Sequence, residues 1–187
     1  MSKKLRALAL AAAASLAITG AAQAQAPKTL SIATGGTGGV YYPLGGGFAN
    51  ILGKELPGVS ATAQVTGGSV ANLQLVGSGK ADMAFSQVDA AWDAINGKDK
   101  FPAKLPIRAL VVMYPNHMHL VTVEGTGIQK PEDLKGRRVS TGSPGSATEV
   151  YANRVLEAAG LNHEKDIRKE RLGVAESVNA LKDKKIE

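Results

Sequence analysis

No cysteine occurs anywhere in the sequence. That excludes disulfides, thiolate catalysis, cysteine-ligated metal and a lipid-modified N-terminal cysteine. An exported chain of this composition is held together by its core alone. Aromatic residues are scarce, at 4%. No segment combines a Lys/Arg cluster with interleaved aromatics, so no nucleic-acid partner is expected. A long hydrophobic run is also missing. The most apolar stretch, Leu5–Ile18, falls short of the ~20 residues that a membrane-spanning helix needs. What the chain has in excess is glycine, 22 residues, beside an ordinary apolar fraction of 44%. Many glycines with few aromatics suit an α/β protein with tight strand-to-helix loops. The length suffices for one domain and part of a second.

The N-terminus predicts export. Lys3, Lys4 and Arg6 precede the Ala/Leu-rich run, and Ala22-Gln23-Ala24 fits the small-x-small cleavage pattern. Residues 1–24 form the expected signal peptide, with the mature chain starting at Gln25. A cut after Ala24-Gln25-Ala26 is disfavoured because Pro27 would follow it. Cleavage removes three basic residues and no acid, so the formal charge falls from +6 to +3. The expected location is the periplasm.

Short apolar segments then alternate with helical ones. Thr29–Ala33, Val59–Val65 and Ala81–Phe85 predict strands, and Val40–Leu56, Val70–Gly77 and Val88–Ile95 predict helices. Ser69 is placed to cap the second helix. This alternation implies βαβ units and a parallel sheet. Ile107–Tyr114 and His119–Val123 predict two further strands, too close together for an intervening helix. After them the plan restarts: a short helix at Lys130–Gly136, a strand at Arg138–Ser140, a helix at Ala147–Ala159, a strand at Ile167–Leu172 and a helix from Glu176. In the second helix of each half, Ser69-Val70…Leu73 is matched by Ser177-Val178…Leu181. The expected division is residues 25–114 in a first lobe, 115–123 in a crossover or hinge, and 124–187 in an incomplete second lobe. The sequence stops where a third strand of that second lobe is expected, which predicts a C-terminally truncated piece of a longer chain.

In open α/β sheets, ligands bind beyond the carboxyl ends of the strands. Four loops fall there: Thr34–Gly39, Gly67–Ser69, Ser86-Gln87 and Ser143–Thr148. They consist almost wholly of Gly, Ser, Thr and Gln, which are neutral donors and acceptors. Three of them open helices, where backbone N–H groups lack internal partners and the dipole is positive. Together they predict a site for a small anion with several acceptor oxygens, such as a carboxylate. The candidate ligand-binding residues are Thr34, Gly36, Thr37, Gly38, Gly39, Tyr41, Tyr42, Gly68, Ser69, Ser86, Gln87, Ser143, Gly145, Ser146, Ala147 and Thr148. Thr34–Gly39 lacks the spacing and lysine of a phosphate loop, and lacks a G-x-G-x-x-G followed by an acid. A nucleotide site is therefore not expected.

Catalytic signals are thin. His117 and His119 would share a face of a strand, but no third metal ligand is near in sequence, and a surface or hinge role fits them better. His163 lies in a charged loop. Ser143 and Ser146 lack a nucleophile-elbow sequence. Asp82 and Asp89 flank the Ser86 loop, Asp89 at a helix start. Trp92 is expected in core or interdomain packing. No catalytic residue, metal or cofactor is expected.

Three stretches, Ala33–Leu52, Thr66–Ala91 and Asp133–Leu161, resemble the TAXI-family substrate-binding proteins of TRAP transporters. The resemblance covers essentially all of the chain after residue 24. It implies an α/β, type II periplasmic-binding-protein fold, with two α/β lobes around a cleft. It also implies delivery of an organic acid, glutamate-like or a dicarboxylate, to TRAP membrane subunits driven by an ion gradient. The family's cleft loops fall on Thr34–Tyr42, Gly68-Ser69, Ser86-Gln87 and Ser143–Thr148. None of these loops holds an arginine, and Arg137 and Arg138 precede the second lobe's first strand. The function expected is a monomeric, non-enzymatic solute receptor. The alternatives are an exported serine-type hydrolase on the same fold and the ligand-sensing domain of a receptor.

Overall fold

The structure is a computed structural model that describes residues 28–187. The expected signal peptide and its cleavage site lie outside the described residues.

The first sheet has three parallel strands in the order β2-β1-β3. Strand β1, Lys28–Ala33, is central, with β2, Val59–Gln64, on one side and β3, Met83–Ala84, on the other. Ile32 pairs with Ala63 across one edge and with Met83 across the other. The strand enters the core at its carboxyl end, where Ile32 and Ala33, on opposite faces, are both almost completely buried. Helix α1, Tyr41–Glu55, joins β1 to β2. Its Pro43 sits in the first turn, where the missing N–H has no in-helix acceptor to lose. Gly45 is required by contact: a Cβ there would overlap the Thr34 methyl. Helix α2, Ser69–Gly77, leads into β3, and α3, Val88–Asn96, follows. Gly97 closes α3 in the left-handed conformation, with φ 64°.

The second sheet has two parallel strands, β4, Arg138–Ser140, and β5, Arg168–Glu170. A 3-10 turn, Pro131–Leu134, precedes β4. Helix α4, Ala147–Ala158, crosses between the strands, and α5, Val174–Lys182, follows them. The Ser146 hydroxyl caps α4 by accepting the Glu149 N–H at 3.0 Å.

Helix α4 belongs to two cores. Its Ala147 and Val150 pack with Val70 and Leu73 of α2, Ala90 and Ala94 of α3, and Phe101. Its Leu156 packs instead with Ile128, Leu134, Val139, Leu161 and Ile167 around the second sheet. The N-terminal half of α4 thus serves the first lobe and its C-terminal half the second.

Several expectations are corrected. Ile107–Tyr114 and His119–Val123 join no sheet; both run without regular secondary structure, with Leu110, Val111, Val112 and Val121 largely exposed. An apolar run becomes a strand only beside a neighbour that takes up its backbone groups, and no described strand lies there. Ser69 does not cap α2; Gly68 holds that position with φ 120°, and Ser69 is the first helical residue. Its hydroxyl accepts the Gln87 N–H at 3.1 Å. Ser177 is not its equivalent, because α5 starts earlier, at Val174; Ser177 donates back to the Gly173 carbonyl at 2.7 Å. Trp92 is half exposed, with the Lys98 ammonium 4.5 Å above its ring. The strands β3 and β5 are shorter than the segments that predict them.

Candidate functional site

Both sheets direct their carboxyl ends toward one cavity of about 600 Å³. All five helices of the described residues begin at its wall: Tyr41 of α1, Ser69 of α2, Gln87 before α3, Ala147 of α4 and Val174 of α5 are all lining residues. The parallel topology causes this, since each helix follows a strand's carboxyl end. First-turn amides have no acceptor within their own helix, and five helix dipoles present their positive ends together. Some of those amides are already used. Ala71 N–H donates to the Gly145 carbonyl at 3.0 Å, and Glu149 N–H to the Ser146 hydroxyl at 3.0 Å.

Of the candidate residues, Gly36, Gly39, Tyr41, Gly68, Ser69 and Gln87 line the cavity from one side. Ser143, Ser146, Ala147 and Thr148 line it from the other. The remaining six stand apart from the lining. Thr34 is fully buried and its hydroxyl donates to the Gln64 carbonyl at 2.6 Å, tying β1 to β2. Thr37 and Gly38 are exposed, and Gly38 abuts Ala175 of α5. Tyr42 is half-buried in the first turn of α1. The Ser86 hydroxyl turns onto the Gln87 carbonyl at 3.0 Å. Gly145, at φ 77°, lies against Ala71.

Other lining residues are absent from the sequence-based set. Tyr114, Asn116, His117 and His119 come from the irregular segment at residues 107–123, and Ser140, Thr141, Tyr151 and Ser177 from the second lobe. Tyr151 carries a legible signal, because it lies three residues after Thr148 and four after Ala147 and so shares their helix face. The irregular segment carries none, since its place depends on the chain path. His117 and His119 stand at the cavity wall, and among the described residues no hydrogen bond joins a histidine to a serine. Nor do the described residues contain a cluster of three potential metal ligands.

No lysine or arginine is among the lining residues. The nearby cations are engaged elsewhere. Arg154 of α4 bridges Asp89, Asp93 and Asp99 at 3.2, 2.9 and 2.9 Å. Arg171 holds buried Glu149 at 2.5 Å, and Arg138 holds Glu187 at 3.3 Å. Arg137 donates to the Thr126 carbonyl at 3.2 Å. Asp82 stands apart from the lining and accepts the Ser31 N–H and hydroxyl at 2.8 and 2.9 Å.

Three phenols of the cavity are held in their neutral form. Burial pushes Tyr41 above its ordinary pKa, opposed by hydrogen bonds with Ser69 and Asn116 and reinforced by the Asp89 charge. Burial does the same for Tyr114, aided by Tyr41. Tyr151 is raised furthest, by burial and then by its 2.5 Å hydrogen bond to Asp89. The Tyr41 ring also lies 5.5 Å from that of Phe85. The cavity therefore offers amides, hydroxyls, neutral phenols and aromatic surface, with no formal positive charge in its lining.

Two parallel α/β lobes closing on a cavity ringed by helix starts define a protein of the periplasmic-binding-protein fold. The chain belongs to the NMT1-like family, which matches residues 32–187. Among solved structures it is similar to the alkanesulfonate-binding protein SsuA from Xanthomonas axonopodis pv. citri, bound to MOPS. The two share 18% identity with a TM-score of 0.52, covering 88% of this chain and 54% of that one. The periplasmic aliphatic sulphonate binding protein SsuA from Escherichia coli is 19% identical with a TM-score of 0.46, covering 86% of this chain and 53% of that one. The chain thus spans about half the length of the solved proteins it matches.

Proposed function

We propose that the chain is the ligand-binding part of an exported, non-enzymatic solute receptor of the TAXI type, working in the periplasm with TRAP membrane subunits. The ligand is a small organic acid bridging the two lobes. One observation carries the reading: five helices start at a single cavity whose lining holds no lysine or arginine. Helix N-termini favour oxyanions without requiring a counter-cation. Bridging stabilises closure because the closed form has contacts that the open form lacks. The TAXI assignment and the membrane partner are supported by the motif resemblance at Ala33–Leu52, Thr66–Ala91 and Asp133–Leu161. Export is supported by the N-terminal sequence.

The test is titration calorimetry of the purified protein with C4 and C5 mono- and dicarboxylates, and with MOPS as the sulfonate seen in the similar structure. Saturable binding of a carboxylate is the expected result. No binding of any acid, with turnover of an ester or amide, overturns the reading. Binding of MOPS but of no carboxylate replaces the carboxylate by a sulfonate.

A further inference from the structure

Helix α4 packs into both cores, and its contact with α3 is a seam between the two lobes. Much of the seam is apolar, with Ala147 and Val150 of α4 in one cluster with Ala90 and Ala94 of α3. A charge sits among them. Asp93 of α3 is 8% exposed. Its carboxylate accepts from Arg154 of α4 at 2.9 Å, its only charged partner among the described residues. The same guanidinium reaches Asp89 at 3.2 Å and Asp99 at 2.9 Å. The second oxygen of Asp89 accepts the Tyr151 phenol, another bond from α4 to α3. All of these contacts join groups of the chain itself.

A carboxylate as buried as Asp93 is costly unless it is paired. Deprived of the guanidinium, it must recover a partner from water, and water reaches the seam when α4 parts from α3. Leu156 ties the other half of α4 to the second sheet, so the second lobe moves with the helix. We propose that Arg154 is an interlobe latch: by neutralising Asp93 in the seam between α3 and α4, it holds the cavity closed before any ligand arrives. The inference rests on the two-lobe receptor reading above and adds a regulation to it. The ligand then selects among forms that are already mostly closed, and its entry waits on release of the latch.

The test reads the lobe separation directly. The chain has no cysteine, so two introduced thiols carry spin labels without background. Asn50 of α1 and Asn179 of α5 are exposed, on helices whose starts come together where Gly38 abuts Ala175. Double electron–electron resonance on Asn50→Cys/Asn179→Cys protein, with no acid added, is expected to give a single narrow distance distribution. In the same background Arg154→Glu is expected to add a longer component, from under about a tenth of the molecules to about half, a roughly tenfold shift in the closed-to-open ratio. Arg154→Met is expected to shift it in the same direction and less far. Adding Asp93→Asn to Arg154→Met removes the stranded charge and is expected to restore most of the short component. Each variant is checked for a cooperative urea transition, and where Arg154→Glu lacks one, Arg154→Met decides. A broad or two-component distribution in the labelled protein with Arg154 intact overturns the inference. So does a folded Arg154→Met with an unchanged distribution. A long component that persists with Asp93→Asn also overturns it, because the opening then comes from lost packing and not from the charge. None of these measurements involves a ligand, so the receptor reading stands or falls separately, by its own calorimetry.

Discussion

The side-chain amide of Asn72 donates to the Thr34 carbonyl at 2.5 Å, at the carboxyl end of the central strand. The same amide donates to the Phe85 carbonyl at 2.8 Å, and its oxygen accepts the Thr66 hydroxyl at 2.5 Å. Asn72 is wholly buried. One side chain therefore fixes the ends of β1 and β3 and the loop before α2, which together form one wall of the cavity. Asn72→Leu keeps the volume approximately and leaves two carbonyls and a hydroxyl without this partner. The expected loss is about 3 kcal/mol, since each unmade buried bond costs ~1–3 kcal/mol and relaxation recovers part. Urea unfolding checks it, as a lower midpoint with an unchanged slope.

That relationship marks where the sequence stops being legible. The strand–loop–helix plan of β1 to α3 follows from local pattern, because parallel strands buried on both faces are short apolar runs bounded by glycine. Ten candidate residues at the cavity follow from one topological rule, that ligands sit beyond strand carboxyl ends. Asn72 does not follow, because an asparagine in the middle of a helix carries no mark of three distant partners. Thr34 is misplaced for the same reason: in sequence it belongs to the glycine loop, but its hydroxyl closes the sheet. Helix α4's division between two cores is likewise a matter of packing between lobes. The strands expected at residues 107–123 fail because hydrophobicity specifies burial tendency and not the neighbour that pairs the backbone.

Arg154 reaches across from α4 to three aspartates of α3 and the turn after it. Its side chain is 43% exposed, so solvent screens the network. Arg154→Met is expected to lower stability by about 1 kcal/mol at low ionic strength, with the difference shrinking toward zero in molar salt. A salt series of thermal unfolding curves measures it. A salt-independent loss would assign the effect to packing of the arginine stem instead.

Asp82 titrates below its ordinary value because the Ser31 backbone N–H, and then the Ser31 hydroxyl, stabilise its charged form. Its folded pKa lies below its unfolded one, so the stabilisation is fully present above the unfolded value of about 3.9. It is lost as pH falls from there through the folded pKa. Asp82→Asn is therefore expected to be less stable than the unaltered protein at pH 7 and to lose less stability between pH 5 and pH 2. Urea midpoints across that range test the crossover. Parallel curves for the two proteins would show that Asp82 contributes nothing to acid sensitivity.

Ser146 and Thr148 both line the cavity, but only Ser146 has structural work inside the chain, as the cap of α4. Ser146→Ala is expected to cost about 1 kcal/mol of stability from the lost cap. Thr148 is exposed, and Thr148→Ala is expected to leave the unfolding midpoint unchanged. On the proposed carboxylate site, each lost bond to the charged ligand weakens binding by ~1.5–3 kcal/mol. Paired calorimetry and denaturation separate the two effects. A fall in stability without any fall in affinity at both positions would remove these hydroxyls from the ligand's contacts.

The two lobes touch at glycines on either side of the cavity. A Cβ on Gly38 would come 2.8 Å from the Ala175 Cβ, and one on Gly67 would overlap the Pro144 carbonyl oxygen. Neither glycine has a positive φ, so their role here is close approach between lobes and not backbone freedom. Added volume cannot be absorbed locally at Gly67, because the adjoining Thr66 hydroxyl is fixed to Asn72. The second lobe must move away instead. The sheets themselves are untouched, so Gly67→Ala is expected to leave the unfolding midpoint within about 1 kcal/mol of the original, the scale of an ordinary surface substitution or slightly more. Ligand binding needs the approach that the substitution obstructs, so affinity is expected to fall about tenfold, or ~1.4 kcal/mol. Gly38→Val applies the same obstruction at the opposite lip and is expected to act in the same direction. Small-angle scattering of the ligand-saturated protein supplies the independent readout: both variants should stay more extended than the original. Unchanged affinity and unchanged dimensions would mean that the lobes bind ligand without the contacts at these two lips.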